Sequence, residues 1–444
     1  MKQGEALDIL MMGSNVFLTG QAGSGKTHLL NQYIKFLKKS GAKVAVTAST
    51  GIAATHLGGI TIHSWSGIGI KNSVTDQDIA RLKSNQRAKE KIQTPMVLII
   101  DEISMFHSYR LDAVNKICKA IRNNVDAFGG LQVILCGDFF QLPPIADEGF
   151  ARSSFAYKST AWGELDLKVC YLDEQHRQWD EEFLQVLNDI RSMDVNENTF
   201  EKVNQRLHKQ LPADVYPTRL YSHNVDVDAV NNAELGKINK REYSYAMETV
   251  GKKELVAGLK KGCLAQEILV LKEGAVVMFV KNNPTKGYSN GTLGKVIGFD
   301  KEDSYPIVKL YSGREIIVGP GSWMLEENEN IIAEISQIPL RLAWAITVHK
   351  SQGMSLDAAE IDLSKSFDFG MGYVALSRLR SLEGLRLLGI NNMAFRVNGE
   401  VGEIDVEFKK LSKEAAMELK QIGKEELKQK QKAYSQRIRP KGAA

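Results

Sequence analysis

Short apolar runs alternate with longer amphipathic segments over the first 170 residues of the chain. The run NVFLTG leads into a glycine-rich turn, then into HLLNQYIKFLKKSG, whose apolar positions have helical spacing, and then into KVAVTAS. This order predicts a β–α–β unit. Three further apolar runs follow at helix-length separations, at residues 96–101, 131–138 and 168–173. Strands that are apolar on both faces are typical of a parallel sheet covered by helices.

The pattern changes after residue 170. A charged helix and the strand TRLYSHN begin a second α/β region, which resumes with PLRLAWAIT, AEIDLS and GLRLLGI. Between them, short strands at close spacing are broken by Gly, Pro and Asn, a pattern that indicates a small β-barrel. We therefore predict a first lobe at 1–170, a second lobe at 171–235 and 337–395, an inserted subdomain at 236–336 and a basic C-terminal tail at 396–444.

Composition and charge place the chain among folded proteins but do not identify its partner. Of its 444 residues, 43% are hydrophobic and 25% are charged, which is ordinary for a globular protein. The net charge is +4, but Lys409–Ala444 alone carries +7, so the rest of the chain is slightly acidic. A nucleic-acid partner therefore cannot be inferred from overall charge. For the tail from residue 409 onward we expect a solvated helix, with a DNA-binding arm as the alternative.

The cysteines and the N-terminus bear on the cellular compartment. Four widely spaced cysteines lack the CxxC and histidine spacings of zinc sites and predict buried free thiols in a reducing environment. The N-terminal MKQGEALDIL has a charge in its apolar stretch, and no run approaches about 20 apolar residues. We therefore expect a protein with no export signal and no membrane partner, located in the cytoplasm and associated with the nucleoid in a bacterium.

The segment GQAGSGKT, residues 20–27, fits the phosphate-loop pattern GxxxxGK[ST] and lies between a predicted strand and a predicted helix. Its three glycines let backbone N–H groups converge on phosphate oxygens at a helix N-terminus. Lys26 should reach the β and γ phosphates of a nucleotide, and Thr27 should ligate Mg²⁺. A purely structural glycine turn is the alternative.

Two later strand ends supply polar groups suited to hydrolysis. Asp101 and Glu102 end an apolar run, where one carboxylate can hold Mg²⁺ and the next can orient or deprotonate a water. Alone, such a pair also occurs as a helix N-cap. Gln141, in GDFFQLPPI, has donor and acceptor groups that can sense the γ-phosphate or its attacking water, although a proline-rich loop is the plainer interpretation. With the phosphate loop, these residues predict NTP hydrolysis.

These motifs resemble those of superfamily 1 helicases of the RecD/Pif type, and the resemblance covers most of the chain. The matching segments are QGEALDIL, TGQAGSGKT, ASTGIAA, TIHSWSG, DEISM, GDFFQLPP, LDEQHRQ, NPTKGYSNGTLGKVIGF, AWAITVHKSQGMSLD and YVALSRLRSLEGL. The resemblance implies an α/β fold of two RecA-like P-loop lobes. It also implies a small wedge insertion at 64–78 in the first lobe and an SH3-like β-barrel inserted in the second.

The resemblance assigns residues that spacing alone leaves open. It makes Arg177 a γ-phosphate arginine and Arg378 an arginine finger, so that the implied catalytic set is Lys26, Glu102, Gln141, Arg177 and Arg378. The implied nucleotide-binding set is Gln3, Gly20, Gly23, Ser24, Gly25, Lys26, Thr27, His28, Gln352 and Gly353, with Mg²⁺ on Thr27 and Asp101. The implied DNA contacts are Thr50, Gly51, His63, Ser64, Trp65, Thr347, His349 and Lys350. Among these, the Trp65 ring would stack on bases or form the wedge. Without the resemblance, His349 is more often a structural histidine, and residues 63–65 could be ordinary packing residues.

The function implied by the resemblance is that of an ATP- and Mg²⁺-dependent DNA helicase. Such a protein moves 5′ to 3′ on single-stranded DNA and opens forked duplex or quadruplex DNA, as a monomer, in replication, repair, recombination or telomere maintenance. Two alternatives use the same phosphate loop. One is a small-substrate phosphotransferase, in which Arg177 and Arg378 would be surface residues, and the other is a DNA-binding ATPase without unwinding activity. Stimulation of ATP hydrolysis by DNA separates the three.

Overall fold

Two units make up the chain in this computed structural model. Unit 1 comprises Met1–Pro217 and Ser351–Ala444, and unit 2 comprises Thr218–Lys350. The residues that the structure describes are 1–69, 71–145, 154–178, 180–211, 217–263, 265–281, 283, 285–288, 292–310, 313–327 and 330–439. The finer division into two lobes, an inserted subdomain and a tail remains a prediction.

A six-stranded sheet forms the centre of unit 1, in the strand order β3-β2-β4-β5-β1-β6. All of its pairings are parallel. The three central strands β4, β5 and β1 are buried at every position, which confirms the buried parallel sheet predicted from the apolar runs. The strands are β1 (Val16–Gly20), β2 (Val44–Ala48), β3 (Ile60–Thr61), β4 (Val97–Asp101), β5 (Gln132–Cys136) and β6 (Lys168–Leu172).

Helices connect these strands and continue beyond the sheet. The helix after the phosphate loop buries Leu29, Leu30, Tyr33, Ile34 and Leu37, a helical spacing that turns one face toward the sheet. The helices of this region are α1 (Gln3–Met11), α2 (Lys26–Lys39), α3 (Gly51–His56), α4 (Ile62–Ser66), α5 (Asp76–Ser84), α6 (Gln86–Gln93), α7 (Ser108–Arg122), α8 (Thr160–Glu164), α9 (Glu181–Ser192) and α10 (Glu197–Asn204).

Unit 2 is rich in antiparallel strands. Its largest sheet has the order β14-β13-β12-β11-β17, and smaller sheets pair β15-β16-β9 and β10-β8, while β7 and β18 form a parallel pair. The elements are β7 (Thr218–Tyr221), α11 (Asn224–Lys237), β8 (Glu242–Ala246), β9 (Glu248–Gly251), α12 (Lys253–Gly262), β10 (Ile268–Lys272), β11 (Val276–Phe279), β12 (Leu293–Phe299), β13 (Pro306–Leu310), β14 (Glu315–Ile317), β15 (Gly321–Glu327), β16 (Asn330–Gln337), β17 (Leu340–Leu342) and β18 (Ala345–Thr347).

The four closely spaced strands predicted in this unit are β11 to β14, and they share one hydrophobic core. These strands pair antiparallel in one sheet, while the β-barrel and SH3-like identity of the insertion stays a prediction. Strands β8, β9, β15 and β16 were not predicted. Each contains at least one glutamate, and β8 and β9 expose most of their positions, so no long apolar run marks them in the sequence.

The chain returns to unit 1 within the short helix α13 (Val348–Ser351). The elements that follow are β19 (Ala359–Leu363), α14 (Met371–Leu376), β20 (Leu385–Ile390), α15 (Gly399–Gln421) and α16 (Lys424–Arg437). Strands β19 and β20 pair in parallel, as expected for the resumed α/β pattern. Among the described residues, none of the helices combines the length and the apolar character that a bilayer crossing requires.

The expectation of a solvated C-terminal tail is wrong. Ala415, Leu419, Tyr434 and Ile438 are between 2% and 8% exposed and belong to the same core as β1 and α2. The Tyr434 hydroxyl donates to Gln132 Oε1 at the start of β5. The tail has apolar residues too far apart to form an obvious stripe, and the partner surface on α1 and α2 is distant in sequence, so the packing could not be seen from the tail alone.

Truncation of Tyr434 tests whether α16 is a packed part of unit 1. The ring lies so close to Gly13 that a Cβ at that glycine would fall 2.3 Å from it, so Tyr434→Ala leaves a cavity. We expect the stability of α16, measured by hydrogen exchange of its amides, to fall by about 3 kcal/mol. Met417→Ala on α15 is the control, because its side chain is 58% exposed; an equal effect of the two changes would contradict the packing.

Candidate active site

The phosphate loop joins β1 to α2 and has a backbone that only glycine adopts easily. Gly23 and Gly25 have φ angles of 89° and 83°, and Gly25 is the N-cap of α2. A Cβ at Gly23 would lie 2.2 Å from Gln175 Oε1, and one at Gly25 would lie 2.1 Å from Gln3 Nε2. The loop therefore turns its backbone N–H groups toward the N-terminus of a 14-residue helix, where phosphate binds favourably.

Lys26 and Ser24 have the features expected of residues that hold a polyphosphate. Lys26 Nζ donates to the carbonyl oxygens of Gly20 and Gln21, at 2.8 and 3.0 Å. Burial lowers the pKa of Lys26, so its charge is incompletely compensated by these two oxygens. Ser24 Oγ is buried and has no hydrogen-bond partner among the described residues. An anion bound at the loop would satisfy both groups.

The two carboxylates lie at the C-terminal end of β4, as predicted, with Asp101 as its last residue and Glu102 directly after it, and they differ in their surroundings. Asp101 Oδ1 accepts from the backbone N–H of Glu102 at 2.9 Å, and Glu102 has a left-handed φ of 53°. Burial, reinforced by the neighbouring Asp101, raises the pKa of Glu102 to about 7. A carboxylate with that pKa is a much better proton acceptor than an exposed glutamate, which suits a residue that activates water.

Two glutamines meet at Glu102. Gln352 Nε2 donates to Glu102 Oε2 at 2.9 Å and lies 3.5 Å from Gln141 Oε1. Gln141 Nε2 lies 3.4 Å from Asp138 Oδ2, a long hydrogen bond at the edge of the accepted range. The structure therefore brings Gln352 together with Glu102 and Gln141, each more than 200 residues before it in the sequence.

Arg177 and Arg378 lie next to each other and are enclosed. Arg177 Nη1 donates to the Ser377 carbonyl oxygen at 3.0 Å. Arg378 is 2% exposed, and its Nε and Nη2 donate to Val374 O and Ser377 Oγ at 2.8 and 2.9 Å. Burial, reinforced by Arg177, lowers the pKa of Arg378 to about 9, and burial also lowers that of Arg177. Arg378 is buried and Arg177 half-buried, and neither has a carboxylate within salt-bridge distance in the part of the chain that the structure describes. Two such guanidiniums fit an anionic ligand.

The remaining nucleotide-binding candidates occupy the border of this site. Gln3 Nε2 donates to Ser24 O at 3.2 Å, which places its amide at the phosphate loop. Thr27 and His28 lie on the exposed side of the first turn of α2, and the His28 ring bonds to Gln32. Gly353 has a φ of 81° in the turn after α13. Thr27 and the 7%-exposed Asp101 carry oxygen atoms of the kind that Mg²⁺ prefers, and their role as its ligands stays a prediction.

This chain is similar to known proteins over most of its length. Residues 6–201 match the family model described as PIF1-like helicase, and residues 254–299 match the DNA helicase Pif1 2B domain. The ATP-dependent DNA helicase Pif1 of Psychrobacter sp. is 45% identical, in an alignment that covers 98% of this chain and 74% of that protein. The chain belongs to the Pif1 helicase family.

Solved Pif1 structures agree with this assignment. The Pif1 helicase of Candida albicans has a TM-score of 0.85 and 35% identity, covering 91% of this chain and 98% of that one. A Bacteroides Pif1 helicase in complex with ADP-AlF3 and single-stranded DNA has a TM-score of 0.76 and 31% identity, covering 92% and 96%. A structure of two coordinating Pif1 helicases at forked double-stranded DNA has a TM-score of 0.75 and 32% identity, covering 93% and 97%. These matches confirm the α/β fold with RecA-like lobes.

The candidate DNA contacts of unit 1 lie around α3 and α4. Thr50 Oγ1 accepts from Ala53 N at 3.3 Å, and Gly51 and Ser64 are exposed. The His63 ring packs edge-on to Phe106 at 5.3 Å. The stacking role expected for Trp65 needs correction, because the ring is only 4% exposed and packs inside unit 1. The predicted wedge at 64–78 contains residue 70, which lies outside the described residues, and its role stays a prediction.

The candidate DNA contacts of unit 2 surround the start of α13. Thr347 is 3% exposed, and its hydroxyl accepts from Lys350 N at 3.4 Å. Burial, then His223, lowers the pKa of His349. Lys350 Nζ donates to Asn224 Oδ1 at 3.3 Å, and burial, reinforced by Arg341, lowers its pKa to about 8. Because burial disfavours the charged form of Lys350, a nearby DNA phosphate would stabilise that charge.

Four residues of the site were missed by the sequence analysis. They are Asp138, Gln178, Arg191 and Tyr373. Gln178 Nε2 donates to the carbonyl oxygens of Ser377 and Leu379, both at 3.0 Å. Asp138, Gln178 and Tyr373 each lie inside a motif that the sequence analysis quoted, so a signal was present, whereas Arg191 lies in a helix with no motif.

Removal of Arg378 tests its role at the γ-phosphate. Arg378→Ala should bind nucleotide with near-normal affinity, because the phosphate loop supplies most of the binding, while turnover should fall by about 10³ to 10⁵. Arg378→Lys should restore little, since an ammonium lacks the planar fork. Nucleotide affinity and DNA-stimulated turnover measure the two effects. Arg380→Ala, an exposed arginine two residues away, is the control; wild-type turnover in Arg378→Ala would contradict the assignment.

The pKa of Lys350 predicts a pH dependence of DNA binding. Its charge is present below pH 8 and lost as the pH rises through that value, so at pH 9 only about a tenth of free molecules retain it. We expect affinity for single-stranded DNA, measured at constant ionic strength, to fall severalfold between pH 7 and 9. Lys350→Arg keeps its charge over this range and should lose much less. The same loss in both proteins would show that Lys350 does not contact DNA.

Proposed function

We propose that this Pif1-family protein is an ATP-dependent DNA helicase that moves 5′ to 3′ on single-stranded DNA and opens forked duplexes. The observation that carries the proposal is the hydrogen bond from Gln352 to Glu102, which ties the segment AWAITVHKSQGMSLD to the hydrolytic carboxylate. Two residues before Gln352 in the same segment stands Lys350, a candidate DNA contact. A single short segment thus carries both a nucleotide-site residue and a DNA-binding candidate.

The roles of the nucleotide-site residues follow from their surroundings. The phosphate loop and Lys26 bind the phosphates, and Arg177 and Arg378 hold the γ-phosphate and the negative charge that develops on it. Glu102, with its raised pKa, accepts a proton from the attacking water, which Gln141 orients. Mg²⁺, held by Thr27 and Asp101, would neutralise phosphate charge. Gln352 and the arginines respond to loss of the γ-phosphate, which changes the grip on DNA.

A phosphotransferase explains these contacts less well. That alternative leaves Arg177 and Arg378 as surface residues, but Arg378 is 2% exposed. Both guanidiniums donate to Ser377, and the Glu102 carboxylate raises the pKa of Arg378 against the effect of burial. A DNA-binding ATPase without unwinding activity would have the same nucleotide site as the helicase but would not require wedge residues that separate the strands. Unwinding assays therefore separate it from the helicase.

The partners and setting form part of the same proposal. Solved relatives are described with single-stranded DNA, with forked DNA and with ADP-AlF3, which supports ATP and these DNA forms as ligands here. We propose that the protein is a monomer in solution, although two Pif1 helicases coordinate in one solved complex. We further propose that it acts in the cytoplasm, on the nucleoid in a bacterium, in replication, repair or recombination.

Stimulation of ATP hydrolysis by DNA is the first test. Single-stranded DNA should raise turnover steeply, with little sequence preference, and binding should weaken as salt rises because phosphate contacts release counterions. Lys26→Ala should lose hydrolysis while its circular dichroism and melting curve stay close to wild type. Lys35→Ala, an exposed lysine on α2, is the control. Wild-type hydrolysis in Lys26→Ala, or no response to DNA, would refute the proposal.

The direction of movement is tested with tailed duplexes. A duplex with a 5′ single-stranded tail should be opened in the presence of ATP and Mg²⁺, and one with only a 3′ tail should not. Release of a labelled strand from matched substrates measures both. Equal opening of the two would contradict the polarity, and opening of neither, with DNA-stimulated ATPase intact, would favour the non-unwinding ATPase.

A further inference from the structure

Arg191, on α9, is the most extensively bonded buried cation in the described part of unit 1. Its Nη1 lies 2.7 Å from both carboxylate oxygens of Asp138 and 3.2 Å from the Tyr373 hydroxyl. Its Nη2 donates to the Tyr171 hydroxyl at 2.9 Å. The guanidinium also lies over the Phe140 ring at 4.1 Å, and the side chain is only 6% exposed. One planar group therefore joins four side chains.

The partners of Arg191 belong to segments that form the nucleotide site. Asp138 begins the segment that ends in Gln141, whose amide reaches back to the same carboxylate. Tyr373 lies on α14, the helix that leads to Arg378, and its hydroxyl accepts from the backbone N–H of Ala22 in the phosphate loop at 3.2 Å. Arg191 thus connects the phosphate loop, the γ-phosphate sensor and the helix of the arginine finger without belonging to any of them.

A second contact ties the same helix to the loop. Gln21 Nε2 donates to Asn188 Oδ1, one turn before Arg191 on α9, at 2.9 Å. On its far side the guanidinium faces Asp405 of α15 at 3.7 Å, and Asp405 is itself paired with Lys409 at 2.7 Å. The titratable groups around Arg191 are therefore Asp138, Asp405, Tyr171, Tyr373, Lys26, whose pKa it helps to lower, and, through Asp405, Lys409.

Stability alone is a poor explanation for this arrangement. A buried ion pair loses the hydration of both charges, and apolar side chains of similar volume often serve a core as well or better. What a buried guanidinium adds is geometry, because its fixed fork holds several acceptors in one plane. Around Arg191 those acceptors are the groups that fix the sensor loop and α14 relative to the phosphate loop.

We propose that Arg191 is a positioning residue for ATP hydrolysis, holding Gln141 and Arg378 in one frame around the γ-phosphate. The proposal rests on the ATPase function proposed above. The terminal nitrogens of Arg191 are bonded to Asp138, Tyr373 and Tyr171. Its loss should therefore spare ground-state binding and lower transition-state stabilisation, which depends most on the placement of Gln141 and Arg378.

The first experiment compares Arg191→Lys with wild type in the full chain. Affinities for Mg-ADP and for Mg-ADP with aluminium fluoride, a mimic of the transferring phosphoryl group, are measured with kcat and KM at saturating single-stranded DNA. We expect the affinity for ADP and the KM for ATP to change less than about twofold. We expect kcat, and the preference for the aluminium fluoride complex over ADP, each to fall about tenfold or more, as a displaced donor would cause.

Arg122→Lys is the matched control for a purely structural arginine. Its guanidinium is enclosed in the same unit and donates to the backbone carbonyls of Ile92, Gln93, Pro95 and Gly129. This substitution should lower the melting temperature without changing the preference for the aluminium fluoride complex. If Arg191→Lys behaves in the same way as Arg122→Lys, the positioning role is wrong.

Tyr373→Phe provides a test that leaves the fold intact. It removes only the hydroxyl that links Arg191 to Ala22, and we expect kcat to fall severalfold with an unchanged KM. Tyr157→Phe, which removes a hydroxyl bonded to Glu400 instead, should keep wild-type kinetics. Should Arg191→Lys fail to fold, wild-type kcat in Tyr373→Phe would by itself overturn the inference.

A double substitution tests the route of the effect. If Arg191 acts through Arg378, adding Arg191→Lys to Arg378→Ala should cost much less than Arg191→Lys costs alone, whereas independent effects multiply. Multiplied effects would refute action through Arg378. A wild-type protein with neither DNA-stimulated hydrolysis nor preference for the aluminium fluoride complex would instead refute the proposed function, so the two failures are distinguishable.

Discussion

Positive charge enclosed around the phosphate loop is the constraint on which the site depends. Lys26, Arg177 and Arg378 each have a pKa lowered by burial. The nearby carboxylate of Asp138 is bonded to Arg191, and that of Glu102 is bonded to Gln352. Removing a charge from water costs several kcal/mol unless a partner compensates it. A bound polyphosphate would compensate the charges of all three groups.

The rest of unit 1 keeps these groups in place. The central strands β4, β5 and β1 are fully buried, so the carboxylates after β4 and the sensor segment after β5 leave a rigid sheet at the same edge. Helix α15 adds Phe408 to an aromatic cluster with Phe17 and Phe139, directly beneath the sensor segment. Helix α15 thus supports the active site through its buried positions, although most of its charged residues are exposed.

Much of the fold and of the site could be predicted from the sequence. The apolar runs predicted most strands of the parallel sheet, because a strand that is buried on both faces is a continuous run of apolar residues. Lys26, Glu102 and Gln141 could be found because each follows a strand within a short motif whose spacing is set by the chemistry of phosphate binding. The strands β8 and β9 could not, because their exposed faces carry the composition of a loop or a helix.

The tertiary structure decided what depends on residues far apart in the chain. Trp65 is an aromatic residue in a segment predicted to contact DNA, and only the packing around it shows that its side chain is buried. The tail has the composition of a solvated helix, yet Tyr434 inserts beside Gly13, more than 400 residues away. Arg191 has no motif at all. The sequence by itself determined the local elements and the chemistry of the motifs, because both depend on near neighbours. The tertiary structure determined burial and the partners of each charge, because these depend on which distant surfaces meet.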